Sequence, residues 1–145
     1  MKIRTLLLVL FIGSGTIWAQ DWQTDFNDAK ELANSGDKPI ILVFQGSDWC
    51  APCIKLDRQI WSSEEFKNYS ADHFVLLLAD FPRKKQNMLP VEQQKKNEQL
   101  ADTYNSNGYF PLVVVLDKDG KMLGQTGYKK ISVKEYINLL ESFSG

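Results

Sequence analysis

Three stretches of this chain are apolar at nearly every position: residues 40–44, 74–79 and 111–116. Unbroken apolar runs of this length predict strands covered on both faces, because a half-exposed strand alternates. Elsewhere the pattern has helical spacing. Trp22, Phe26, Ala29 and Ala33 recur at helical intervals and predict an amphipathic helix within residues 20–37, stopped by Asn34-Ser35-Gly36-Asp37. Ile54, Leu56, Ile60 and Trp61 give an apolar side to a helix over about residues 52–61, and Ser62 or Ser63 caps another that starts at Glu64. Pro90 opens a helix reaching about Tyr104, with Leu100, Ala101 and Tyr104 facing inward. Asp117-Lys118-Asp119-Gly120 marks a hairpin, with a returning strand over residues 121–126 and a bend or bulge at Gly127. The last helix has the clearest stripe, Val133, Tyr136, Ile137, Leu140 and Phe143, behind a capping box of Ser132 and Glu135. The order is helix, strand, helix, strand, helix, strand, strand, helix. It argues for an α/β domain with a central mixed sheet and helices on both faces.

Composition narrows the reading. At 145 residues with 43% hydrophobic and 12% aromatic content, one globular domain is expected. A net charge of -1 gives no indication of nucleic-acid binding. Residues 1–19 have the layout of a secretory signal peptide: Lys2 and Arg4, an apolar run from Leu6 to Ile12, then Ile17-Trp18-Ala19 before Gln20. The apolar run is shorter than the ~20 residues of a membrane span, so cleavage near Ala19-Gln20 is expected over a retained anchor. The domain is then residues 20–145, in the periplasm or secreted. Losing Lys2 and Arg4 leaves it at a net -3. The C-terminus, Glu141-Ser142-Phe143-Ser144-Gly145, is not an endoplasmic-reticulum retention signal, which favours a bacterial periplasm.

Export changes how the two cysteines read. Structural disulfides in exported proteins join distant parts of a chain, but Cys50 and Cys53 are three positions apart and are the only cysteines. A ring that small removes little entropy from the unfolded chain, so a chemical role is the better account. Trp49-Cys50-Ala51-Pro52-Cys53 lies where the first apolar strand gives way to a helix, and Pro52 suits a first helical turn. Unpaired N–H groups at a helix start stabilise a thiolate, the form that attacks disulfides. The stretch reads as a thiol–disulfide exchange centre. Zinc is the rival, but a structural zinc wants four ligands and the chain offers two thiols and His73, read as a surface residue at a strand entrance. No metal or separate cofactor is expected beyond a redox-active Cys50–Cys53 disulfide.

Here the chain resembles the thioredoxin superfamily, and more narrowly its exported bacterial thioredoxin-like members. The resemblance rests on Trp49-Cys50-Ala51-Pro52-Cys53 after a strand, on Phe110-Pro111 opening a later strand before an Asp-Gly hairpin, on the Gly46-Ser47-Asp48-Trp49 approach, and on a polar insertion over residues 81–97. It spans essentially residues 20–145. It implies a thioredoxin fold with a mixed four- to five-stranded sheet. It implies Cys50 as the exposed nucleophile and Cys53 as the buried resolving thiol, and a cis Phe110–Pro111 bond beside them that leaves the Phe110 backbone free for a client. Trp49, Phe110 and Pro111 are then the substrate-binding residues, and Asp48, Ala51 and Pro52 support the site. Pro52 before Cys53, with no histidine between the cysteines, resembles the reducing members. The expected activity is reduction of client disulfides, with a membrane electron transporter as electron source and a monomer as the working form.

One departure stands out. Thioredoxins usually carry a buried aspartate six residues before the first cysteine, where this chain has Phe44, and the lysine that usually pairs with it falls near Leu76. Without that acid, water, Asp48 or a substrate group must take the resolving thiol's proton. The departure keeps in view a client-binding protein of thioredoxin fold with little turnover, and the two thiolates by themselves also allow a Cu(I)-handling dithiol protein. Arg83, Lys84 and Lys85, with Lys95 and Lys96, read as a solvated loop and helix face, with recruitment of an acidic partner as the alternative. Asn68-Tyr69-Ser70 matches a glycosylation triplet, a pattern common by chance.

Overall fold

The computed structural model describes residues 20–145, so the expected signal peptide at 1–19 lies outside the described residues. The three apolar runs are strands: β2 at Ile40–Gln45, β3 at Val75–Asp80 and β4 at Leu112–Leu116. A short β1 at Trp22–Gln23 and a hairpin strand β5 at Met122–Thr126 complete one sheet, ordered β1-β3-β2-β4-β5. β1 and β2 run parallel to β3, while β4 is antiparallel to β2 and to β5. The helices are α1 (Phe26–Gly36), α2 (Ala51–Leu56), α3 (Glu64–His73), α4 (Val91–Tyr104) and α5 (Val133–Ser144). None of the described helices is long and apolar enough to cross a membrane.

Side-chain alternation along the central strands sorts the core into two layers. Ile41 and Val43 of β2, with Val113 and Val115 of β4, pack against Leu56, Phe66, Tyr136, Ile137 and Leu140 from α2, α3 and α5. Ile40, Leu42 and Phe44 face the other way, toward Ala29 and Ala33 of α1 and Leu100 of α4. Both faces of the sheet are therefore covered, which is why its strands read as continuous apolar runs.

The N-terminal segment corrects the expected helix over 20–37. Helix α1 begins only after Asp25, whose carboxylate accepts from the N–H groups of Asn27 and Asp28. The preceding residues extend and pair with β3, Trp22 opposite Leu76. Trp22 thus joins the opposite core layer from Phe26 and meets Trp61 edge-on, 5.9 Å between ring centroids.

Three smaller points differ or sharpen. The expected helix over 52–61 is α2 followed by a π-helical turn at Asp57–Trp61, which turns both Ile60 and Trp61 into the core. Ser63, rather than Ser62, caps α3. The irregularity of the hairpin falls between Val115 and Leu116, which pair with Gly124 and Met122, and not at Gly127. Gly124 is required there: a Cβ would lie 2.2 Å from a ring carbon of Phe143. The capping box of α5 forms as expected, Ser132 and Glu135 each accepting from the other's N–H.

Candidate active site

Strand β2 ends at Gln45, and the chain turns through Gly46 so that the N–H groups of Trp49 and Cys50 both donate to the Gly46 carbonyl. Cys50 is the N-cap of α2 and Pro52 lies in its first turn. Cys50 and Cys53 are joined as a disulfide, with Cα atoms 5.2 Å apart. The Cys53 N–H donates to the Cys50 sulfur at 3.3 Å. This is an N-cap interaction with sulfur in place of the usual oxygen acceptor. When the pair is reduced, the same donor and the helix start favour the Cys50 thiolate.

The expectation of an exposed Cys50 is corrected. Cys50 is 4% exposed and Cys53 2%. The Cys50 sulfur is bonded to Cys53 and receives its N–H, so little free surface remains, but Ala51 and Pro52 alongside are exposed.

Each residue of Gly46-Ser47-Asp48-Trp49 has a separate task. Gly46 gives room for the indole of Trp49: a Cβ there would lie 2.1 Å from Trp49 Cε2. Ser47 donates through its N–H and its hydroxyl to the two carboxylate oxygens of Asp80, at 2.9 and 2.6 Å. Asp48 accepts from the N–H groups of Arg83 and Lys84 at 2.9 Å each and from the Asn87 amide at 3.0 Å. The Arg83 N–H holds the Asp48 carboxyl below its ordinary value against the opposing effect of desolvation, with Asn87 and Lys84 adding to the depression. Trp49 donates its indole N–H to the Phe81 carbonyl at 2.7 Å. The end of β3 and the polar insertion are thus tied to the thiol loop at three successive residues, Ser47, Asp48 and Trp49.

The other wall is the cis Phe110–Pro111 bond. Phe110 packs edge-on against Trp49 at 5.4 Å and against Phe81 at 5.5 Å, which brings the Phe110-Pro111 segment to the thiol loop. Among the described residues no hydrogen bond engages the Phe110 backbone. Asn105 holds the turn before it: its amide donates to the Tyr109 carbonyl at 2.8 Å and accepts from the Tyr109 N–H at 2.9 Å. No local motif in the sequence singles out Asn105, Asp80 or the buried Asn97, whose amide donates to the Asp80 carbonyl at 2.9 Å. The only signal for Asp80 was its position, a charge closing an apolar strand level with the end of β2.

The place of the usual buried acid is filled by Phe44, fully buried. Its partner on β3 is Ala79, and Leu76, near which the missing lysine is expected, lies in the opposite core layer. Asp48 is a poor substitute base, since both its oxygens are engaged and its proton affinity is lowered. His73 is exposed at the C-terminal end of α3, just before β3, while the thiols follow the end of the parallel strand β2; the two lie at opposite ends of the sheet. The basic cluster also divides. Lys95 and Lys96 pair with Glu92 and Asp25, whereas Arg83 stacks on the Trp49 ring, its guanidinium carbon 3.6 Å from the centroid.

Comparison with known proteins agrees with this geometry. Residues 21–118 match a family model described as thioredoxin-like. The chain is 38% identical over 121 residues to the disulfide bond reductase DsbH of Chlamydia pneumoniae, covering 83% of this chain and 70% of that protein. A solved structure of a DsbH oxidoreductase superposes with a TM-score of 0.79 at 33% identity, over 98% of this chain and 94% of that one. A disulphide isomerase from Xylella fastidiosa shares the fold at a TM-score of 0.61 and 21% identity, over 97% of this chain and all (100%) of that one.

Proposed function

This chain belongs to the thioredoxin-like family and is a thiol–disulfide oxidoreductase; from that premise we propose that it runs as a reductase of client disulfides, Cys50 attacking and Cys53 resolving. The observation that carries the assignment of roles is the Cys53 N–H directed at the Cys50 sulfur. The Cys50 thiolate attacks one sulfur of a client disulfide, forms a mixed disulfide and releases the other client sulfur as thiolate. Cys53, deprotonated, then attacks the Cys50 sulfur. The client's second thiolate leaves, and two electrons have passed from the dithiol to the client. With Phe44 in place of a buried acid, the Cys53 proton goes to water or to the departing client thiolate.

The direction is supported by the reductase named among the relatives, and by Pro52 before Cys53 with no histidine between the cysteines. Clients are proteins bearing disulfides. Trp49, Phe110 and Pro111 form the contact surface, where the unpaired Phe110 backbone suits an extended segment. Export through residues 1–19 places the work in the periplasm or outside the cell, as a monomer without nucleic acid. Electrons are then resupplied by a membrane electron transporter.

Insulin reduction with the Cys50→Ser and Cys53→Ser variants tests this. Loss of turnover in Cys50→Ser, with mixed disulfides accumulating in Cys53→Ser, is expected. A wild-type protein that binds clients without turnover supports instead a holding role, the reading favoured by Phe44.

A further inference from the structure

The loop after β3 carries three consecutive cations, Arg83, Lys84 and Lys85, all exposed. None of them takes part in an ion pair among the described residues. Two acids that hold the loop and the thiol approach together are otherwise occupied. Asp48 accepts from the backbone N–H groups of Arg83 and Lys84 and from Asn87, and Asp80 accepts from Ser47. Asp48 therefore fixes the backbone of the loop; the charge of Lys84 reaches it, but no cationic side chain of the loop closes an ion pair with it. Arg83 lies over Trp49, the residue before Cys50, and Trp49 in turn meets Phe110. The positive charge is thus held on the residue that precedes Cys50, beside the disulfide. It is anchored by a strand end, a short 3₁₀ turn at Lys85–Asn87 and the Trp49–Phe81 hydrogen bond. The described domain as a whole has the opposite sign, a net -3.

We propose that Arg83, Lys84 and Lys85 form a cationic lip on the dithiol that selects client disulfides flanked by acidic residues. The nature of the ligand, a disulfide-bearing segment, rests on the reductase reading above. A flat arginine already stacked on an aromatic ring keeps its edge N–H groups free to grip a carboxylate, and two lysines beside it extend the field. A locally concentrated charge raises encounter rates with complementary ligands even when the whole protein is weakly of the other sign.

The test uses three synthetic peptides with the same internal disulfide, flanked by Glu, by Gln or by Lys. Single-turnover reduction by the reduced protein should be about tenfold faster for the Glu peptide than for the Gln peptide at low ionic strength, and slowest for the Lys peptide. High salt should erase the difference. In the combined Arg83→Gln, Lys84→Gln, Lys85→Gln variant the Glu-to-Gln ratio should fall to about one; reading a ratio within each protein cancels any general loss of activity. Binding of the same peptides with serine for cysteine, followed by fluorescence anisotropy, reads the lip without chemistry. Acidic preference in binding with no reduction of any peptide would overturn the reductase reading and keep the lip. Equal binding of all three peptides, or a preference that survives in the triple variant, would overturn the lip even where reduction proceeds.

Discussion

The indole N–H of Trp49 donates to the carbonyl of Phe81 at 2.7 Å and joins the thiol loop to the insertion that follows β3. The same ring has Arg83 over it, Phe110 at its edge and the bare backbone of Gly46 beneath. The site is built around this one half-buried side chain, and the first prediction concerns what holds it.

Gly46→Ala should move the indole. The new Cβ would lie 2.1 Å from Trp49 Cε2, so the ring must leave its seat and give up the Phe81 hydrogen bond. Overpacking of this kind costs ~1–3 kcal/mol. Urea unfolding should show that loss, and client reduction should fall with it. A variant as stable and active as wild type would mean that Trp49 does not organise the loop.

Asp48→Asn should change how stability depends on pH. The folded carboxyl has its pKa lowered, chiefly by the Arg83 N–H, from an ordinary 3.8. Its contribution is therefore fully present above 3.8 and is lost as the pH falls through the lower folded value. The gap in urea midpoint between wild type and Asp48→Asn should be constant near neutrality and close below that point. A gap independent of pH across the acid range would contradict the role given to the carboxylate.

Phe44→Asp, which restores the acid usual at this position, should destabilise the fold rather than improve the enzyme. Phe44 is fully buried, and its partner across the ladder is Ala79, so the carboxylate would have no cation. Breaking a buried pair by removing one partner leaves such a stranded charge, at about 3–5 kcal/mol. Denaturant titration at neutral pH gives the check. A loss well below that would mean that water reaches the position.

The legible parts of this fold were those with a local signal. The unbroken runs of β2, β3 and β4 and the Ser132–Glu135 cap lie in the chain where they lie in the structure. Strand β1 was not readable, because two residues make no run and Trp22 falls at a helical interval from Phe26. The Asp25 cap that separates them was present in the sequence and outweighed by that periodicity. Around the thiols, the cysteines, Trp49, Phe110 and Pro111 were visible through the motif. Their supports were not, since each joins segments far apart in sequence: Ser47 with Asp80, Asp48 with Arg83 and Lys84, Asn97 with Asp80. Strand register is equally silent: nothing in the sequence shows that Phe44 pairs with Ala79 or that Leu76 faces the other core layer.

The most direct test is the pH dependence of alkylation of the reduced protein, with Cys53→Ser to isolate the first thiol. The donor at 3.3 Å and the helix start should leave the Cys50 thiol ionising below the ~8.5 of a free cysteine. It should also react much faster than Cys53 in the wild-type chain. An apparent pKa of ~8.5 or higher at Cys50, or preferential labelling of Cys53, would contradict the assignment of Cys50 as the attacking sulfur.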